Sequence, residues 1–258
     1  MKLLMTVCLL ALLALPVRAE EKKEAGNQPK GELIFLRDFG TDEVAYLAIP
    51  DKKPEAGIVV AHGKFGLCKD TRLLCDRLAE SGLIVLAVDL FNGSVPANEA
   101  EIAKFTGSAS SETTVAAIET GINFFLLSPR FKMDKVIVLG IGESTRDVLA
   151  VARKNRDISG VTLLEPKVLP NAELMNQIGV PVLAYVSSER EITIDVGAIN
   201  AEAKAELTME LMPEVIHDDM KAFKRHINDR IWKDAIQYWM KLEVHERSIA
   251  DKLIDTVF

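Results

Sequence analysis

The chain has 258 residues, 27% of them charged and 48% hydrophobic, with a formal net charge of −7. That acidic balance, without a polybasic run, excludes nucleic acid and an anionic membrane surface as the main partner. There is no internal repeat.

Residues 1–19 read as a targeting segment. Lys2 supplies a positive start and residues 3–15 are almost wholly apolar. Val17-Arg18-Ala19 puts small residues where a signal peptidase reads. The apolar run is shorter than the roughly 20 residues a bilayer span takes. Cleavage and export, to a periplasm or the extracellular space, are therefore expected, with no stable membrane span left. Loss of Lys2 and Arg18 takes the net charge from −7 to −9. About 240 residues remain, enough for one large core.

Residues 20–31 are polar and charged and read as a flexible leader. Residues 32–258 then form one domain. Residues 32–36 and 43–49 are strands, and Asp38-Phe39-Gly40-Thr41-Asp42 turns between them as a hairpin. Residues 57–63 are an almost unbroken apolar strand, the pattern of burial on both faces. A loop through Lys64 and Phe65 leads to a helix over 70–81, with Leu73, Leu74, Leu78 and Ala79 on one face and Gly82 past its end. Cys68 and Cys75 sit about 10 Å apart on that helix, beyond disulfide reach. They read as small buried hydrophobes.

Residues 83–90 are a second doubly buried strand. Helices follow over 98–105 and 112–127, the latter burying Val115, Ile118, Ile122, Phe125 and Leu126. A strand over 136–139, a sharp turn and a helix over 144–154 come next. Strands over 160–164 and 181–186, a helix over 194–207 and a strand over 208–212 complete the alternation. Residues 218–248 are a long helix whose Phe223, Ile227, Trp232, Ala235, Ile236, Trp239 and Met240 form a core stripe. Alternating strands and helices give a mostly parallel sheet covered on both faces, with ligands at the C-terminal strand ends. No H-x-x-x-H or H-E-x-x-H pattern occurs and the cysteines lack zinc spacing, so no metal or cofactor is expected.

Four stretches carry a resemblance. They are Val59-Val60-Ala61-His62-Gly63-Lys64-Phe65-Gly66-Leu67, the run from Asp76-Arg77-Leu78-Ala79 through Gly82 to Ala87-Val88-Asp89-Leu90, Pro181-Val182-Leu183, and Met212-Pro213-Glu214-Val215-Ile216-His217. Jointly they resemble the dienelactone hydrolase family of α/β-hydrolases, over about residues 32–242. The resemblance implies an α/β-hydrolase fold, a small ester, lactone or carboxylate ligand, and a nucleophile–acid–histidine triad.

The departures fall on the chemistry. The family elbow reads Gly-x-Cys-x-Gly-Gly, with Ser for Cys in related enzymes. Here it reads Gly140-Ile141-Gly142-Glu143-Ser144-Thr145, which puts Gly142 in the nucleophile position. The glutamate of the loop after the first buried strand maps to Gly63, and the acid falls near Arg190. His217 stands where the catalytic histidine should.

The oxyanion region implied by the resemblance holds Lys64 and Phe65 and the amide of Glu143. The Glu143 carboxylate would repel a developing oxyanion. It equally suits the first turn of a helix.

Two readings follow. In the first, the chain has lost covalent chemistry and keeps a pocket for a small carbonyl or carboxylate compound or a protein partner, because a triad acts as a unit and losing the nucleophile costs about 10⁶ in turnover. In the second, Ser144 attacks, His217 acts as base, and Glu189 or Glu191 orients the histidine. Arg146, two residues past Ser144, crowds that elbow, where small residues are needed. Otherwise Ser144 belongs to the first helical turn, bonding backbone groups. His217 would then keep a structural hydrogen bond, and His62 would satisfy backbone groups where its strand ends.

Overall fold

A strand that is apolar on both faces needs a packed layer above and below it. The computed structural model shows five such strands side by side. It describes residues 28–39, 41–187 and 194–212, with Ile236, Tyr238 and Trp239. Every residue is buried in β3 (Ala56–Ala61), β4 (Leu83–Val88), β5 (Val136–Ile141), β6 (Gly160–Leu164) and β7 (Val182–Ser187).

These strands lie parallel in an eight-stranded sheet of order β1-β2-β4-β3-β5-β6-β7-β8. The strand β8 (Leu207–Met212) extends the parallel part. The hairpin strands β1 (Glu32–Phe35) and β2 (Val44–Ala48) are antiparallel at the other edge. Crossed order with parallel pairing, helices between the strands, and a strand–turn–helix at the sheet's centre define an α/β-hydrolase fold.

Alternation along the strands divides the core. Val59, Ala61, Leu86, Val88, Val136 and Val138 face α3 (Ser111–Leu127) and α4 (Thr145–Lys154). Ile58, Val60, Val85, Ala87, Ile137 and Leu139 face α1 (Lys69–Glu80) and Trp239, as a period of two requires. Trp239 is fully buried, and its indole N–H donates to Thr162 Oγ1 at 2.6 Å. The rest of the helix expected over 218–248 lies outside the described residues, as do residues 1–27.

Local differences from the sequence reading have physical causes. The buried face of α3 runs through Thr114, Ala117, Ile118, Gly121, Ile122, Phe124 and Phe125. Val115 and Leu126 pack at its rim, half-buried. The face is turned toward small residues because α3 lies close on the sheet.

A short helix, α5 (Ala172–Ile178), was not expected. It starts where Asn171 Oδ1 accepts the Leu174 N–H and ends at Gly179, φ +72°, both ordinary helix signals. The helix expected over 194–207 is only α6 (Val196–Glu202), capped by Asp195. Asn200 exchanges hydrogen bonds with the backbone of Leu207, so the chain turns into β8 there. The helix α2 (Glu99–Ser108) starts at Asn98 as its sequence indicates.

The last residues of the leader are docked. The Lys30 and Gly31 N–H groups donate to the carboxylate of Asp76, at 2.7 and 3.2 Å. The Tyr46 hydroxyl donates to Asp76 at 2.7 Å and accepts a second hydrogen bond from Gly31 N–H. Cys68, at the start of α1, and Cys75 within it are both buried free thiols.

Asp76→Ala leaves the Lys30 amide and the Tyr46 hydroxyl without their acceptor and the Gly31 amide with the Tyr46 oxygen alone. It should lower stability by about 1–3 kcal/mol, read as a shift in the urea midpoint, with Arg77→Ala on the exposed face as a near-neutral control.

Candidate functional site

The site is built from strand ends. β3 finishes at Ala61 and leads into His62 and Gly63. β4 finishes at Val88 and leads into Asp89, Leu90 and Phe91. β5 finishes at Ile141 and passes through a short 3-10 turn, Gly142–Ser144, into α4. β6 finishes at Leu164, shortly before Lys167 and Val168. Between them lies a cavity of about 330 Å³, walled by residues of all four strand ends, with Thr106 and Ala109 of the α2 region and Thr114 of α3.

Gly142 takes φ +58°. A side chain held in such a left-handed backbone costs roughly 1–3 kcal/mol, and glycine removes that cost. The turn therefore keeps an elbow's sharp geometry with nothing projecting from its apex. Gly140 allows α4 to close on β5. A Cβ there would stand 2.9 Å from Val148 Cγ2 and 3.0 Å from Thr145 Cα.

The Ser144 hydroxyl is buried and engaged. It accepts the Ile141 N–H at 3.0 Å. Its own proton points to Ala61 O at 2.7 Å, with Ile141 O at 3.1 Å. Thr145 Oγ1 donates to Gly142 O at 2.6 Å. Ser144 thus ties the start of α4 to the end of β3, across 83 residues of sequence. It bonds backbone groups, as a first-turn serine would, but upstream ones.

Gly63 lines the cavity, where a Cβ would lie 3.0 Å from Ile141 O. Lys64 and Phe65 are not part of the wall. Lys64 Nζ instead stacks 5.3 Å from the centre of the Phe65 ring. Glu143 is in the wall, with Oε1 3.7 Å from Lys167 Nζ. His217, Arg190, Glu189 and Glu191 lie outside the described residues.

His62 is buried at the β3 end. Nε2 accepts the Leu90 N–H at 2.9 Å, so the ring proton sits on Nδ1 and donates to Gly63 O at 3.0 Å. The imidazole is therefore a neutral brace between two strand ends.

Burial pushes the neighbouring Asp89 carboxyl up. The Phe91 and Gly93 amides, which donate to the carboxylate, outweigh burial and hold the carboxyl below its ordinary range. His62 Nε2 lies 3.7 Å away and is already an acceptor, so the two amides carry most of the effect.

Asp147, Lys167 and Glu165 were not singled out from the sequence. Asp147 is buried in the cavity wall and accepts the Ser111 hydroxyl. Glu165 directly follows β6, buried, at φ +52°, a backbone conformation uncommon for glutamate. The rule that sites gather at strand ends would have pointed to the segment 165–168. Among the described residues no group of three or more His, Cys, Asp or Glu is placed to hold a metal ion. No described helix is long and apolar enough to cross a membrane.

Fold and elbow together define a protein of the α/β-hydrolase class. The model of the dienelactone hydrolase family matches residues 44–238, and the chain belongs to that family. Solved structures agree in fold. A protein assigned as a dienelactone hydrolase from Klebsiella pneumoniae subsp. pneumoniae superposes with a TM-score of 0.63 at 16% identity, covering 82% of this chain and 98% of its own. The dienelactone hydrolase from Anabaena variabilis gives 0.58 at 14% identity, with 83% and 99% covered. A dienelactone hydrolase-like promiscuous phosphotriesterase, P91, from metagenomic libraries gives 0.61 at 16% identity, with 82% and 98% covered. No curated protein sequence matches significantly.

Ser144→Ala removes the partner of Ala61 O and Ile141 N–H at a buried position. It should destabilise by about 1–3 kcal/mol in urea unfolding.

A depressed carboxyl adds stability that is present above its unfolded pKa, about 3.9, and fades as pH falls through the lower folded value. Asp89→Asn should therefore cost about 1–2 kcal/mol at pH 7 and progressively less below about pH 4. Urea midpoints across that pH range check the sign.

Proposed function

We propose that this chain is an exported member of the dienelactone hydrolase family that binds a small organic molecule at its strand ends without covalent hydrolysis. The carrying observation is Gly142. It occupies the apex of the turn between β5 and α4 at φ +58°, the position from which the family's nucleophile would project. A glycine there has nothing to attack with.

Three further features support the reading. The Ser144 proton is directed at Ala61 O, and its oxygen already accepts from Ile141, so its attack would first require breaking buried hydrogen bonds. Gly63 stands where the resemblance places a glutamate, and Arg190 where it places the acid. The Glu143 carboxylate borders the cavity beside the amide that would stabilise an oxyanion.

The cavity itself persists, and its 330 Å³ is at the small end of the usual range for organic ligands. Family membership supports a ligand of ester or lactone size. The charged start, apolar run and small residues of positions 1–19 support export. N-terminal sequencing of the exported chain should begin at Glu20.

The decisive assay uses a short p-nitrophenyl ester series. Wild type, Ser144→Ala and His217→Ala should all show the same background rate. Turnover that disappears in both variants would establish the rival reading, a hydrolase attacking through Ser144 with His217 as base.

A further inference from the structure

The sheet ends on β1, which among the described residues has β2 as its only neighbour. An edge strand offers unpaired N–H and C=O groups to any chain that can reach them. The ladder decides which residues offer them. Leu36 N–H donates to Glu43 O, and Asp89 N–H donates to Val44 O. Glu43, Ala45 and Leu47 therefore turn their backbone groups toward β1, while Val44 and Tyr46 turn theirs toward β4. Glu32 and Ile34 bond to Leu47 and Ala45. The N–H and C=O groups of Leu33 and Phe35 point away from the sheet.

The side chains of the same two residues are also bare. Leu33 is 55% exposed and Phe35 is 59% exposed, on one face because they stand two residues apart. Lysine, proline or a bulge commonly blocks such an edge. β1 has none of them.

We propose that β1 is a homodimer contact: a second copy of this chain pairs antiparallel with it, about a twofold axis at Ile34, and joins the two sheets edge to edge. In that register Leu33 stands opposite Phe35 of the second copy, and Phe35 opposite its Leu33. All four are outward-pointing residues, so each pair exchanges two backbone hydrogen bonds. The same pairs lay the exposed Leu33 and Phe35 side chains against each other on one face. An axis at Phe35 would set Leu33 against Arg37, which is already in a 3-10 turn. An axis at Leu33 would set Phe35 against Gly31, whose N–H is taken by Tyr46 and Asp76.

Charge favours the same arrangement. Exposed Lys30 and Glu32 precede the apolar pair, and exposed Arg37 and Asp38 follow it. Reversed against itself, the segment brings Lys30 beside Asp38 of the second copy and Glu32 beside its Arg37, at both ends. The patch is small, in the class of weak interfaces below about 1,200 Å².

Sedimentation velocity of the purified chain, from about 5 μM to about 1 mM, should show monomer giving way to dimer with a Kd of about 10 μM to 1 mM. Leu33→Lys should weaken the dimer at least about tenfold. Phe35→Pro removes an N–H that β2 does not use. It should weaken the dimer similarly and leave the urea midpoint near that of the wild type, because an outward-facing edge position tolerates proline.

Cross-linking tests the register. Ile34→Cys sets two thiols across the axis with Cα atoms about 4.5 Å apart, within disulfide reach, and mild oxidation should yield a covalent dimer. Leu33→Cys is the more exposed site, but its symmetry mate is about 8 Å away, beyond that reach. It should cross-link at least about tenfold more slowly. A chain that stays monomeric to about 1 mM, as it would if another part of it covered β1, overturns the proposal. So does a dimer indifferent to both Leu33→Lys and Phe35→Pro, or cross-linking through Leu33→Cys as fast as through Ile34→Cys.

Discussion

Burial of five adjacent strands on both faces is the constraint on which the rest depends. Backbone groups that leave such a sheet at its ends cannot reach water within the core, so each must find a partner there. The end of β3 shows how this is met. Ala61 O takes the Ser144 hydroxyl, and His62 braces β3 against β4 through Leu90 N–H. Asp89 gathers the Phe91 and Gly93 amides as the next strand turns away. The polar residues at the strand ends thus serve the sheet first, which limits what they can do for chemistry.

That division explains how the site differs from what its family membership alone would suggest. The turn between β5 and α4 is retained to the point of a left-handed apex, yet the residue there has no side chain. The nearby serine is close enough to look like a substitute and is engaged in joining α4 to β3. The shape of the turn is set by many buried contacts, whereas a nucleophile is a matter of very few atoms.

Most of the fold was legible in the sequence because the buried strands announce themselves as unbroken apolar runs, and because the Asp76 to Leu90 stretch carries family-specific spacing. The glycine at position 142 could also be read directly, since an absent side chain needs no coordinates. Ser144 was different. Its partner is a carbonyl 83 residues earlier, and local sequence holds no sign of it. The small helix α5 escaped because seven residues give too little periodicity, although Asn171 and Gly179 mark both its ends. The buried face of α3 was misjudged at its margins because periodicity reports large apolar residues, while close packing on the sheet selects Ala117 and Gly121.

The two thiols of α1 have a consequence of their own. Cys75 is wholly enclosed, and burial pushes its thiol far above the ordinary range. Cys68 is also buried, 3.4 Å from the Thr71 hydroxyl. Thiol–disulfide exchange needs an accessible thiolate, and the described domain offers none. Its integrity is therefore decoupled from the redox poise of its surroundings, so the same fold can persist in an oxidising or a reducing compartment without a covalent cross-link to make or lose.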